Sequence, residues 1–399
     1  MYIEVRTFFG LPSPASGLRY YSMRIVIAPD KFKGSLTAAE VCRVIARGVR
    51  RADAHAEVVS IPLADGGEGT LDLLVSHLNL EVVRLTVNDP LFRPVEAYYG
   101  KKGAVAYVEM AQASGLALLA AEERDALRTT SYGTGELIRH AVEHGATEVY
   151  VLIGGSASND AGIGIAQSLG YRFLGTDRRT LSPVGESLAH VASIDSTNRL
   201  STLDQVSVRV ISDVNNPLYG PQGAAQVYAP QKGASPEAVA RLDQGLMNIA
   251  NRMRELTGKD VHSVPGAGAA GGVGAGALAF LSAELLPGIH TLIDLCGVRP
   301  AIQRADLVIS GEGKVDAQTL HGKVVKGVSE VCQGYNVPLG VICGTLEADE
   351  ATLQRLGVWR AYAVREAGMS LAEAMKRTEE RMEALAYRMM KEVKELRKL

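Results

Sequence analysis

The run MRIVIAPDKFKGS (residues 23–35) decides the fold. It begins with one strand's length of apolar, β-branched chain, Arg24–Ala28, and turns polar at once through Pro29, Asp30, Lys31 and Lys33. Thr37 and Glu40 then have capping-box spacing, each side chain satisfying the other's backbone N–H, which predicts a helix through about Arg51. A buried strand, a polar turn and a helix in that order form the repeating unit of an α/β protein with a mostly parallel sheet.

Working outward, the same kind of run recurs at Glu57–Ile61, Glu148–Ile153, Val206–Ile211, Asp306–Ile309, Leu339–Cys343 and Arg360–Val364. Most are followed closely by Gly, Asp or Asn, as strands are. Ser235, Pro236 and Glu237 open a helix that runs to about Leu256, with Gly258 as its stop. Near the C-terminus, Leu371, Met375, Met382, Leu385, Met389 and Val393 fall near helical spacing and predict one long amphipathic helix over 371–396. The region 81–135 has a different character. Pro90, Pro94, Tyr98, Tyr99 and the alternating Val105, Tyr107 and Glu109 read as antiparallel strands. An insertion between two α/β ends follows, with crossings expected near residues 80 and 295. The predicted architecture is α/β with two domains, one built from 23–80 plus 296–399 and the other from 81–295.

Composition excludes several classes. Net charge is −2, so no basic field draws nucleic acid, and an acidic small substrate would need locally placed cations. The chain holds 42 glycines against only 5% aromatics without a collagen period, which points to tight backbone turns near ligands. Cys42, Cys296, Cys332 and Cys343 form no CxxC pair, so neither a structural zinc site nor a disulfide framework is expected, and the cytoplasm is the natural compartment. His140, Glu143 and His144 make a formal HxxEH, read as the polar face of a helix. Val261 to Ala283 is uncharged and long enough to span a bilayer, but its six glycines and a proline make it a glycine-rich loop entering a helix. The first 22 residues lack the apolar core of a signal peptide; Met23 is the expected true start, and residues 1–22 a disordered start-site extension.

Chemistry gathers where the strands end. Five predicted strands run into Asp30–Ser35, Ala64–Thr70, Gly154–Asp160, Asp213–Pro217 and Gly311–Asp316. Ligands of open parallel sheets bind beyond these carboxyl ends. Gly154, Gly155 and Ser156 at a strand-to-helix junction suit phosphate. A second run, Pro265–Gly272, contains GxGxxG, but the residues before it make a poor strand and no acid is placed for a ribose. Close helix packing and a second phosphate or adenine contact both stay open there, while a dinucleotide-dependent oxidoreductase is a remote alternative. Gly322 and Lys323 are followed by Val324, so no P-loop exists, and the protein-kinase HRD and DFG motifs are absent. Phosphoryl transfer would draw cations from Lys31, Lys33, Lys232, Lys314 and Lys323, and carboxylates from Asp30, Asp65, Glu68, Asp160, Asp213, Glu312 and Asp316. Spacing alone does not assign their roles.

Eight motifs carry the reading further: APDKFKGSLTA (28–38), PLADGGEGT (62–70), TSYGTGEL (130–137), IGGSASNDAGIG (153–164), DVNNPLYG (213–220), APQKGA (229–234), PGAGAAGG (265–272) and SGEGKVDAQTLHGK (310–323). In the same order, they resemble those of the bacterial glycerate kinase family, from about Met23 to the C-terminus. The resemblance implies ATP- and Mg²⁺-dependent phosphorylation of D-glycerate, to 2-phosphoglycerate, with 3-phosphoglycerate or a related hydroxy acid as alternatives. It also implies a discontinuous flavodoxin-like domain with a second α/β domain inserted and a cleft between them; from charge and composition, no nucleic-acid or membrane partner is expected. Carried over residue by residue, it makes Asp65, Asp213, Lys33 and Asp316 catalytic, with Asp65 and Asp213 also holding Mg²⁺. Asp30, Lys31, Ser35, Asn215, Glu312 and Lys314 would bind glycerate. Gly154, Gly155, Ser156, Asp160, Lys232 and Gly268 would bind the nucleotide phosphates. Monomer and homodimer are both compatible.

Overall fold

The computed structural model describes residues 2–4, 22–64, 66–321 and 324–396. The chain divides into two compact units, Met1–Asp65 with Ile289–Leu399, and Gly66–Gly288. The first crossing therefore falls earlier than residue 80. Helix Thr70–Leu78 belongs to the second unit, because Leu71 and Leu74 are fully buried and the helix packs on strands Pro94–Lys102 and Val105–Glu109.

In the first unit five parallel strands lie side by side in the order Glu57–Ser60, Arg24–Ile27, Leu307–Ser310, Leu339–Cys343 and Val358–Ala363. Numbered along the unit that order is 2-1-3-4-5, the flavodoxin-like arrangement, with the inserted unit between its second and third strands. The last three strands are buried along their whole length, as parallel strands covered on both faces must be. The capping box forms: Thr37 Oγ1 accepts from the Glu40 N–H at 3.3 Å, Glu40 Oε2 accepts from the Thr37 N–H at 2.9 Å, and helix Ala38–Ala52 follows.

The C-terminal helix differs from its prediction. It is two helices, Leu371–Lys376 and Thr378–Leu396. The Thr378 hydroxyl donates to the carbonyls of Ala374 (2.9 Å) and Met375 (3.0 Å), competing with the helical ladder at the join. Leu371 is consequently no core residue and stands 58% exposed, whereas Met382, Met389 and Val393 are buried. The disorder expected of the leading segment does not extend to Tyr2–Glu4, which pair antiparallel with Tyr362–Arg360. Residues 5–21 lie outside the described residues.

The second unit has a mixed sheet in the order Glu284–Leu286, Ser207–Ile211, Glu148–Leu152, Val105–Glu109, Pro94–Lys102 and Glu81–Asn88. Its first four strands run parallel to one another; the antiparallel pairing expected of 81–135 holds for Glu81–Asn88 with Pro94–Lys102 and for Pro94–Lys102 with Val105–Glu109, whose other edge pairs parallel with Glu148–Leu152. Helix Pro236–Thr257 starts on Ser235, whose Oγ accepts from the Ala238 N–H at 3.2 Å, and stops at Gly258 with φ +71°. His140 and His144 stack on one helix face, and among the described residues no three His, Cys, Asp or Glu side chains group as metal ligands. No described helix is long and apolar enough to cross a membrane.

Candidate active site

In the first unit, strands Arg24–Ile27 and Leu307–Ser310 are neighbours, yet they are the first and third strands of the order. That reversal is the topological switch point, where a crevice opens beyond the strand ends. The two emerging loops are tied together: Ser310 Oγ donates to the Ala28 carbonyl at 2.7 Å, and the Asp30 N–H donates to the Gly311 carbonyl at 2.8 Å. Asp30 is buried, its Oδ1 accepting the Lys31 N–H at 2.6 Å, and buried Glu312 accepts from Thr319 Oγ1 at 2.9 Å. Lys31 is half-buried and Lys33 exposed. The structure thus brings Asp30, Lys31, Lys33 and Glu312 to one strand edge.

Two sequence candidates in this unit are already engaged. Ser35 Oγ donates to the Met375 carbonyl at 3.3 Å, which ties the loop to the C-terminal helices. Lys314 pairs with Glu347 at 2.8 Å and Asp316 at 3.2 Å. Those two carboxylates accept its hydrogen bonds and hold its pKa above the ordinary lysine value. Asp65, Gly322 and Lys323 lie outside the described residues.

In the second unit, the adjacent strands Glu148–Leu152 and Ser207–Ile211 deliver Gly154–Asp160 and Asp213 to the same sheet edge. Gly154 must be glycine: a Cβ there would lie 2.7 Å from Gly67 Cα, so the Gly66–Gly69 turn rests directly on it. Asp213 Oδ1 accepts the Gly288 N–H at 2.6 Å, and a Cβ on Gly288 would come within 2.6 Å of Oδ2. Glycine at 288 thereby lets the backbone pack closely against this carboxylate. Mg²⁺ on a nucleotide takes one or two protein carboxylates and completes its shell with phosphate oxygens and water. An Asp213 oriented by a backbone N–H at a strand end fits that demand. Asn215 follows, exposed.

The phosphate loop differs from its sequence reading in one respect. Gly154, Gly155 and Ser156 do not open a helix; the next one, Ile163–Ser168, begins further on, and its Gly164 and Ile165 N–H groups already donate to Asp160 Oδ2 (3.3 Å) and Ser131 Oγ (3.1 Å). Asp160, fully buried, accepts from the N–H groups of Ser131 (2.7 Å), Gly162 (3.1 Å) and Gly164 (3.3 Å) and from Ser131 Oγ (2.8 Å). Burial raises the Asp160 pKa while these donors oppose the rise. An interior carboxylate with this many donors organises the loop around it. Lys232 is buried too, donating to Ser156 Oγ at 2.8 Å and the Ser158 carbonyl at 2.6 Å. Gly268 serves packing, since a Cβ on it would meet the Pro217 carbonyl at 2.2 Å.

Sequence reasoning passed over Ser131, Ser158 and Asn159. Ser158 Oγ and both side-chain heteroatoms of Asn159 are buried without a protein partner, a rare condition in a folded interior. TSYGTGEL contains Ser131, but its reach to Asp160 across 29 residues is set only by folding.

Comparison with known proteins gives a consistent result. Residues 25–394 match the model of the glycerate kinase family. The chain is 43% identical over 364 residues to a glycerate kinase of Halalkalibacterium halodurans, covering 91% of this chain and 96% of that protein. It is 42% identical over 356 residues to the glycerate 2-kinase of Escherichia coli K12, covering 89% and 93%. A crystal structure assigned as glycerate kinase 2 of Salmonella typhimurium LT2 superposes with a TM-score of 0.83 at 39% identity, covering 95% of this chain and all of that one.

Proposed function

Because the chain belongs to the glycerate kinase family and is a kinase, we propose that it transfers the γ-phosphoryl group of ATP to the 2-hydroxyl of D-glycerate, yielding 2-phosphoglycerate. The observation that carries this reading is the delivery of placed cations and carboxylates to the carboxyl ends of adjacent parallel strands in both units. Phosphoryl transfer needs little else than positioning and charge stabilisation. The regiochemistry is supported by the Escherichia coli relative, a glycerate 2-kinase.

In this reading Lys31 and Lys33 meet the glycerate carboxylate or the moving phosphoryl group, where an ammonium offsets the charge that spreads over its oxygens. Asp30 and Glu312 hold that edge in shape. Gly154 and Gly155 let backbone N–H groups approach the nucleotide phosphates. Asp213, with Asp65, holds Mg²⁺ or orients the acceptor hydroxyl, and bound Mg²⁺ supplies charge neutralisation of the phosphates. All four cysteines are free and buried, which supports a reducing, cytoplasmic setting.

Incubation with ATP, Mg²⁺ and D-glycerate, followed by NMR identification of the product, tests the proposal. A phosphorus coupled to the C2 proton is expected; coupling to the C3 protons would reassign the product, and no ATP-dependent product would reject the reading. In the same assay Asp213→Asn should lower kcat about a thousandfold while leaving the fold intact. Near-normal turnover would remove Asp213 from the chemistry.

A further inference from the structure

We infer that Lys232 is a positioning residue for nucleotide binding, an ammonium buried beneath the Gly154–Ser158 loop that fixes the loop's shape without touching the ligand. The inference rests on the reading that this loop receives phosphate.

Lys232 is 2% exposed, and its Nζ reaches two points of one loop, Ser156 Oγ and the Ser158 carbonyl. The opposite side of the loop is fastened mainly by backbone: the Leu116 N–H donates to the Gly155 carbonyl at 2.8 Å and the Ala157 N–H to the Ser114 carbonyl at 2.9 Å, while Thr129 Oγ1 donates to the Ala157 carbonyl at 2.9 Å. The lysine itself is seated firmly. It ends the turn Pro230–Lys232, and Gly233 follows at φ +90°, where a Cβ would lie 2.0 Å from the Arg124 carbonyl. Neither the turn nor the loop has room to drift.

Burying an ammonium is expensive unless acceptors and a counter-charge surround it. Here the acceptors are Ser156 and Ser158, and Asp160 is the charged group whose field favours the ammonium. Burial dominates nonetheless and brings the lysine down to about 7. The neutral amine still has two N–H groups for its two acceptors, so the loop keeps its bonds above that pH. What disappears is the positive charge beneath the phosphates. The KM for MgATP should therefore rise through an alkaline limb near pH 7, with kcat less affected.

The test uses Lys232→Met, Ser156→Ala and the double variant, with kcat and KM for MgATP measured from about pH 6 to 9 and thermal melts as the folding control. Lys232→Met should raise the KM for MgATP about tenfold at acidic pH and abolish the limb. The double variant should be no worse than Lys232→Met alone, because both remove the same link. A wild-type profile in Lys232→Met, or effects that simply multiply, overturns the inference. Should Lys232→Met fail to fold, Ser156→Ala decides. Loss of an acceptor favours the neutral amine and moves the limb to lower pH, while an unmoved limb overturns the inference. Gly155→Ala, at φ +73°, separates the two readings. If it leaves the KM for MgATP unchanged, the loop does not hold phosphate; if it raises that KM while Lys232→Met does not, only the positioning role fails.

Discussion

Two glycine-rich runs of the second unit, IGGSASNDAGIG at 153–164 and PGAGAAGGVGAG at 265–276, look alike in sequence and behave differently in the fold. In the later run the missing side chains are filled by backbone. A Cβ would meet the Pro217 carbonyl at 2.2 Å from Gly268, the Ser158 carbonyl at 2.2 Å from Gly271, and the Ala161 carbonyl at 2.3 Å from Gly276. Two of those three carbonyls belong to the earlier run, so the later run is the wall on which the earlier one is laid. The earlier run uses Gly154 to admit the Gly66–Gly69 turn, engages Ser156 and Asp160 internally, and leaves Ser158 Oγ and the Asn159 amide without a protein partner. Glycine content announces close approach. It does not say whether a wall or a ligand approaches.

Substitutions can break or sharpen that contrast. The largest effect is expected from Gly271→Ala, which combines φ +71° with a backbone carbonyl 2.2 Å from the new Cβ. A stability loss of about 3 kcal/mol or more, read by urea unfolding, should follow. Wild-type stability would show that the two runs are not locked together. Gly154→Ala comes next: its Cβ would press on Gly67 Cα and displace the turn that carries Glu68. It should lower kcat/KM about tenfold, equivalent to about 1.4 kcal/mol, and cost less stability than Gly271→Ala. Unaltered kinetics would detach that turn from the site. The smallest effect belongs to Gly258→Ala, a helix stop at φ +71° with nothing within 4 Å. About 1 kcal/mol of stability should be lost through the left-handed conformation alone, with kinetics unchanged. A kinetic effect there would mean that glycine strain acts on the site generally and not through the two runs.

Much of the scaffold was legible. The strand runs, the Thr37–Glu40 box and the Ser235-to-Gly258 helix all appear where local pattern places them, because each depends on residues a few positions apart. The candidate site was legible only as a set of strand ends. Ser35, Lys314 and Asp160 read as ligand contacts, yet Met375, Glu347 and Ser131 engage them from distant segments. The break at Arg377 was also missed, since apolar spacing continues through it while the Thr378 hydroxyl bonds back to the Ala374 carbonyl across the join.

The sequence by itself determined the class of protein: alternating strands and helices, polar strand ends without a P-loop, and motifs of one kinase family in order. These are properties of short windows, governed by periodicity, capping and turn chemistry. Tertiary structure alone decided which polar groups remain for a ligand. Lys33 and Lys232 are equivalent lysines as text, but one stands in solvent and the other lies under a loop. Desolvation and hydrogen-bond partners separate them, and both are set by what the rest of the chain packs around each ammonium.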